Sequence, residues 1–256
     1  MATVGVTLLD VVNRINIRLR DTIVTSVTST VSSSPATTTG MTNYTDTLVR
    51  LINDAKREVE DAFGWLDLQE TIAVETVSGT NTYAVQQTSG GVIYTNSRTR
   101  LMDVYNTTNN VRLTVYPYNY LRQLAQNTSV TNAEPTSYAI KGLITPTYGT
   151  DGVNTVNQSV EAYLYPTPNS AYSLSIECVI PQEDLFDNTD YFKVPWYPVY
   201  LRALALAIRE RGEDEGELSS DVEQAYAQAL GDAIAYEQKN LWQSQGGGDW
   251  YVGGDY

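Results

Sequence analysis

The chain has 256 residues, enough for one large or two small folding units, with 42% hydrophobic and 18% charged residues. It contains no histidine and one cysteine, which excludes Ser-His-Asp and Cys-His nucleophilic sites in their usual form, removes the commonest transition-metal ligand and prevents an internal disulfide. The net charge is −14. Residues 181–256 contain 5 basic and 15 acidic side chains, so sequence-specific nucleic-acid binding, which needs clustered lysine and arginine, is not expected.

The N-terminal region is predicted to begin with an amphipathic helix. Apolar residues recur at helical spacing through 8–23, and Asp10 inside this stretch argues against a signal peptide. Arg14 and Arg18 lie four residues apart on one face, a like-charge pair that costs on the order of a few tenths of a kcal/mol unless an acidic group faces it. We therefore expect Arg14, Arg18 and the nearby Arg20 to contact acidic residues of a neighbouring subunit.

Residues 48–63 carry the clearest helical pattern and follow a Ser/Thr-rich segment, 25–40, that is expected to be a loop. Charged residues, among them Lys56 and Glu60, are predicted to cover the solvated side of this helix. The apolar stripe consists of Leu48, Leu51, Ile52, Ala55, Val59, Ala62 and Phe63. No run in the chain approaches the ~18 apolar residues of a membrane span, so no membrane contact is expected.

Between residues 71 and 179 the apolar period changes to two, which predicts six to eight short strands in a sandwich or partial barrel. Residues 71–85 are predicted to form a hairpin, and 111–115 a single strand. The best alternation places Cys178 on a dry face with three other residues, where a lone thiol packs as a small apolar group. A short helix is expected at 117–126.

After Pro195 the helical period returns in a segment that is apolar nearly all round and is therefore expected to be buried. Gly212 ends this helix, and a last helix is predicted to begin at Ser220 and to end near Gln243.

The N- and C-terminal helices each present more apolar surface than they can cover alone. The predicted fold is therefore α+β, a helical bundle with an inserted antiparallel β domain. Its segments are the N-terminal helices 1–66, the β domain 67–182, the C-terminal helices 183–245 and a Gly/aromatic tail 246–256.

The sequence contains few motifs that are typical of catalytic, phosphate-binding or metal-binding sites. No Gly-rich phosphate loop is present. Asp184, Asp187 and Asp190 lie three apart, as in a Ca²⁺ loop or a glycosidase carboxylate pair, but the EF-hand spacing fails and a solvated acidic loop is the simpler interpretation. The sequence thus predicts no catalytic residue, no cofactor and no metal site, and a protein that is not an enzyme.

Two further segments carry interaction features. Glu213, Asp214 and Glu215 belong to an acidic run that is either a solvated linker, a channel-facing acidic band or the partner of the three arginines in a neighbouring subunit. The Gly-rich tail carries three aromatic residues, Trp250, Tyr251 and Tyr256. They are either part of a frayed terminus or anchors that dock into a partner protein. Tryptophan and tyrosine dominate binding hot spots.

In the order of its elements the chain resembles the head-to-tail adaptor family of tailed bacteriophages, the tail tubular or gatekeeper-ring type. The resemblance extends over about residues 48–211. It rests on segments that carry no catalytic signature: 48–55 through Trp65, 79–83, 135–142, 165–168 and 194–195. The 25–40 loop and the glycine tail depart from the usual pattern.

The resemblance implies a structural virion protein at the head-tail neck, assembled in the bacterial cytoplasm. Its expected partners are copies of itself in a dodecameric ring, the portal protein, the tail nozzle or next tail component, and double-stranded DNA that passes without specific binding. Within this interpretation Trp250, Tyr251 and Tyr256 are expected to bind the portal. A tail-associated protein that binds or degrades glycans is the alternative.

Overall fold

The computed structural model describes residues 5–27, 43–87, 93–127, 131–144, 147–148, 154–156, 159–212 and 217–244. The chain divides into two compact units, one built from residues 1–68 together with 182–256, and the other from 69–181. The described helices are α1 (Leu8–Arg18), α2 (Asn43–Ala62), α3 (Tyr118–Asn127), α4 (Trp196–Arg211) and α5 (Glu217–Ser244). All but α3 belong to the first unit, which we call the helical unit.

Helix α1 begins at a capping box. The Thr7 side chain accepts from the Asp10 N–H, and the Asp10 carboxylate accepts from the Thr7 N–H at 3.0 Å. The helix ends at Arg18, earlier than the apolar period predicts, because Arg20 adopts a left-handed backbone with φ of 56° and the Asp21 N–H donates to the Asn16 carbonyl at 2.8 Å. Residues after Arg18 are therefore not part of the apolar face of α1.

Helix α2 starts at Asn43 and buries the predicted stripe at Leu48, Ile52, Ala55 and Val59. The assignment of Lys56 and Glu60 to the solvated face is wrong, because both side chains are buried. They face the chain segment that follows Pro181, whose main-chain groups they bind. Part of the charged face of α2 is therefore buried against another chain segment rather than solvated.

Helices α1, α2 and α5 all contact α4, whose apolar residues are buried on most sides as predicted. Gly212 ends α4 in a left-handed conformation, with φ of 65°. Helix α5 begins at Glu217, so the predicted start at Ser220 is wrong. A regular four-helix bundle stays a prediction.

The second unit, the β unit, contains the described strands, all of them short. Their bounds are β1 (Gln69–Glu75), β2 (Thr82–Gln87), β3 (Ile93–Tyr94), β4 (Arg100–Asn106), β5 (Val111–Arg112), β6 (Thr114–Val115), β7 (Ser137–Leu143), β8 (Thr147–Tyr148), β9 (Asn154–Val156), β10 (Val160–Tyr165) and β11 (Ser173–Val179). They form a four-stranded sheet in the order β1-β11-β4-β5, a five-stranded sheet in the order β3-β2-β10-β7-β6, and the β8-β9 ribbon.

Three sequence predictions are wrong in detail in the β unit. Strands β1 and β2 lie in different sheets rather than in one hairpin, because the chain between them bonds elsewhere: Thr76 N–H donates to the Tyr172 carbonyl and Gly79 N–H to the Pro168 carbonyl. The 111–115 segment splits at buried Leu113 into β5 and β6, one in each sheet. The sheets are not purely antiparallel, since β6 pairs with β7 in parallel.

One apolar core joins the two larger sheets. Leu174, Ile176 and Cys178 on β11 pack in the same cluster as Val85 on β2 and Leu164 on β10. The predicted dry face of the 172–178 strand and the apolar packing of Cys178 are confirmed. Helix α3 covers a smaller cluster of Leu121, Ala139 and Tyr163. The α+β fold class is confirmed.

Candidate functional site: an arginine and aromatic groove

The end of α1 and the start of α4 enclose an open cavity of about 730 Å³ within the helical unit. We call it the arginine groove. It contains all three arginines that the sequence singled out. Its lining consists of Arg14, Ile17, Arg18, Leu19, Arg20, Trp196, Tyr197, Tyr200, Ile208 and Leu218.

The three arginines are exposed and positioned by the last turns of α1. The guanidinium carbon of Arg14 lies 4.8 Å from the ring centroid of Trp196, a cation-π contact. Among the described residues none of the three forms an ion pair, whereas Arg202, deeper in the helical unit, bonds to the carboxylates of Glu58 and Glu223. The groove therefore holds positive charge without a described acidic partner, in a chain of net charge −14.

The aromatic wall comes from the first turns of α4. The ring centroids of Tyr197 and Tyr200 lie 6.2 Å apart with an interplanar angle of 26°, and Trp196 meets Tyr197 edge-on at 5.6 Å. Tyr200 lies four residues after Trp196 and three after Tyr197, so its ring meets both across the helix start. Tyr197 is 49% exposed, a large apolar surface left open to solvent.

The electrostatics of the groove favour an acidic occupant. Burial raises the pKa of Tyr200 above its ordinary value, and the charges of Arg18 and Arg14 act in the opposite direction. The phenol stays protonated at neutral pH and remains able to donate a hydrogen bond. Guanidinium groups donate in a planar fork that matches a carboxylate, and aromatic rings supply apolar contact area. The groove thus presents guanidinium donors and aromatic ring surface side by side.

A second cavity of about 450 Å³ adjoins the groove at Tyr197, which lines both. Its walls are mostly small or rigid residues, namely Pro195, Pro198, Ala225, Ala229 and Ala233, with Gln228 and Asp232. Both cavities lie within the helical unit. Tyr197 is the lining residue that the two cavities share.

The three aspartates considered as a Ca²⁺ loop or a glycosidase pair have other partners. Asp184 forms an ion pair with Arg57. One oxygen of Asp190 accepts from the main-chain N–H groups of Phe186 at 2.7 Å and Asp187 at 2.8 Å, which orders the loop. Within the described ranges no group of three His, Cys, Asp or Glu residues is placed to hold a metal ion.

The other predicted site residues, Glu213, Asp214, Glu215, Trp250, Tyr251 and Tyr256, lie outside the described residues. Two neighbours of the acidic run, Ile208 and Leu218, line the groove. Sequence reasoning found Arg14, Arg18 and Arg20 through the like-charge spacing. It missed Trp196, Tyr197 and Tyr200, although their i, i+1, i+4 spacing at a helix start was a usable signal.

Membrane insertion through a helix finds no support in the described part of the chain, where every helix is too short or too polar to span a bilayer. Comparison with curated proteins found no match. The model of the SU10 adaptor protein family matches residues 6–249. That stretch includes every residue of the arginine groove and ends before Trp250. The chain therefore belongs to the SU10 adaptor protein family.

Proposed function

We propose that this protein is the head-to-tail adaptor of a tailed bacteriophage, a structural virion protein of the neck that joins the portal to the tail and performs no reaction. Membership of the adaptor family supports the neck location. The observation that carries the proposal is the arginine groove, a site with donors and rings but without a histidine or a nucleophile-base pair beside them. Such a site recognises a protein partner.

In this proposal copies of the chain assemble side by side in a closed ring, a dodecamer, in the bacterial cytoplasm. Arg14, Arg18 and Arg20 face carboxylates of the neighbouring copy, and Glu213, Asp214 and Glu215 provide them. A contact in which one patch binds a different patch on the next copy is heterologous, and rings arise from such contacts when the rotation closes. The arginines of the groove have no acidic partner among the described residues, which supports this arrangement.

The ring lines the channel through which packaged DNA passes. DNA carries one negative charge per about 1.7 Å of helix axis, and a chain of net charge −14 repels it. Repeated around a ring, that repulsion keeps the wall free of specific DNA contacts. The DNA therefore moves past the adaptor without being held.

The two flanking partners contact different parts of the chain. Trp250, Tyr251 and Tyr256 bind the portal, because aromatic side chains on a Gly-rich segment offer large contact area to pockets of a partner. The β unit binds the tail nozzle or next tail component. Its support is exposed apolar surface: Met102 is 57% exposed, Val115 60% and Ile140 48%.

Co-expression with the portal protein of the same virus, followed by electron microscopy, tests this function. A cyclic complex with adaptor density on one face of the portal is the expected result. Two separate species after purification, with the portal ring bare, would contradict the proposal. Turnover of glycans by the purified chain, lost on Asp184→Asn or Asp187→Asn, would instead favour a glycan-degrading protein.

A further inference from the structure

The arginine groove has two halves, and each restricts what it binds. Arg14, Arg18 and Arg20 attract carboxylates, while Trp196, Tyr197 and Tyr200 provide ring surface for aromatic side chains. A run of carboxylates alone, such as residues 213–217, satisfies only the first half. The sequence 249–251, Asp-Trp-Tyr, satisfies both, and Asp255 with Tyr256 repeats the combination.

We propose that the C-terminal segment 249–256 of one copy docks into the arginine groove of a second copy. Asp249 and Asp255 face the guanidinium groups. Trp250 and Tyr251 pack against the aromatic wall and into the adjoining cavity that Tyr197 shares. The occupant is thus a named segment of this chain, held by charge complementarity and ring contact.

Chain length decides which copy's Asp249 can reach the Leu218 end of the groove. Leu218 lines the groove at the start of α5, and the helix continues to Ser244. At 1.5 Å per residue these two positions lie roughly 39 Å apart. From Ser244 a fully extended chain reaches Asp249 within at most roughly 18 Å. In its own copy Asp249 therefore ends at least roughly 21 Å short of Leu218, so it reaches this end of the groove only on a second copy.

This inference goes beyond the proposed portal contact, because it gives the C-terminal segment a second site on the adaptor itself. Copies that are not on a portal are expected to associate through this site, with Asp249 and Asp255 at the arginines that face residues 213–215 of the neighbouring copy in the assembled ring. Portal binding and groove docking then compete for the same aromatic residues. At the groove, positive charge and half-exposed ring surface lie next to each other.

A peptide with the sequence of residues 245–256, labelled with a fluorophore, tests the proposal by fluorescence anisotropy. The receiver is the full chain with Asp249→Asn, Trp250→Ala and Tyr251→Ala, so that its own segment does not compete. We expect binding that weakens with added salt. The groove variant Arg14→Glu with Arg18→Glu is expected to bind roughly tenfold more weakly or worse, since like charges then oppose the peptide.

The matched control is Arg50→Glu, because Arg50 is an exposed arginine of α2 that pairs with Asp46 outside the groove. It is expected to leave peptide affinity unchanged. If the double arginine variant fails to fold, Tyr197→Ser replaces it, since Tyr197 is half exposed and its loss leaves the core intact. That variant is expected to weaken binding as well.

Three results would overturn the proposal. The first is absence of peptide binding to the receiver. The second is that the groove variant and the control bind the peptide with equal affinity. The third is that a peptide with Trp250→Ala and Tyr251→Ala binds the receiver as tightly as the unchanged peptide, which would mean that charge alone drives binding. None of these measurements involves a portal. Failure of groove docking therefore leaves the adaptor function standing, and failure of portal association leaves groove docking standing.

Discussion

Lys56 and Glu60 form a buried ion pair on α2, with 3.0 Å between Nζ and Oε1. The Lys56 ammonium also donates to the carbonyls of Gln182 at 2.7 Å and Glu183 at 2.9 Å, and Glu60 accepts from the Gln182 N–H. The pair thus binds residues 182–183, the first part of the helical unit after the β unit, to α2. Nearby, Asn53 extends the contact, exchanging two hydrogen bonds with the main chain of Leu185.

Replacing Lys56 by methionine is expected to destabilise the protein strongly. The change leaves the Glu60 carboxylate buried without its cation and removes the donor to two carbonyls, and breaking a buried pair typically costs about 3 to 5 kcal/mol. Urea denaturation measures the free energy of unfolding. The control Arg50→Met removes an exposed i,i+4 pair and is expected to cost about 0.5 kcal/mol or less. Equal costs for the two variants would show that the buried pair does not hold the segment.

Gly212→Ala is expected to lower stability through backbone strain alone. Gly212 has φ of 65°, and an added Cβ would meet no atom of the described residues within 4 Å. The cost is therefore that of a left-handed alanine, about 1 to 2 kcal/mol. Gly64 offers the same open space without a positive φ. Thermal unfolding of Gly64→Ala is expected to occur at or above the wild-type temperature. A Gly212→Ala protein as stable as wild type would refute the C-cap role.

Cys178 is expected to make stability fall at high pH. Burial raises the pKa of its thiol from 9.0 to about 12. The folded state then holds a proton that the unfolded state releases above pH 9, so the stabilising difference is complete below pH 9 and declines as the pH rises toward 12, by about 1.4 kcal/mol per unit. Cys178→Ala lacks this titration. Parallel pH profiles for the two proteins between pH 9 and 10 would contradict the prediction.

Removing residues 246–256 is expected to weaken association with the portal and leave the monomer folded. The deletion takes away Trp250, Tyr251 and Tyr256 but no residue of the described helices or strands. Circular dichroism checks the fold, and co-purification with the portal checks the association. Full-strength portal binding by the truncated chain would remove the segment from the portal contact.

Long periodic elements were predictable from the sequence, and contacts between distant segments were not. Apolar spacing located α2, α4 and β11 because each buries a continuous stripe. It misassigned Lys56, which donates to the main-chain carbonyls of Gln182 and Glu183, more than a hundred residues away. Strands of two residues, such as β5 and β6, are too short to show a period.

The arginines of the groove were predictable from the sequence, and their surroundings were not. The spacing of Arg14 and Arg18 indicated positive charge in need of a partner, and both arginines line the cavity. The spacing of Trp196, Tyr197 and Tyr200 was visible in the sequence, but their position beside the arginines arises from packing of α4 against α1, a tertiary contact that a periodicity argument does not contain. Where α1 ends was equally hidden, since the left-handed Arg20 interrupts an apolar period that continues in the sequence.

Electron cryomicroscopy of the neck in purified virus particles tests the adaptor function most directly. We expect the fold described here to fit a closed ring between the portal and the tail, with the DNA channel through its centre. Density for this chain elsewhere in the particle, or a neck assembled without it, would contradict the account.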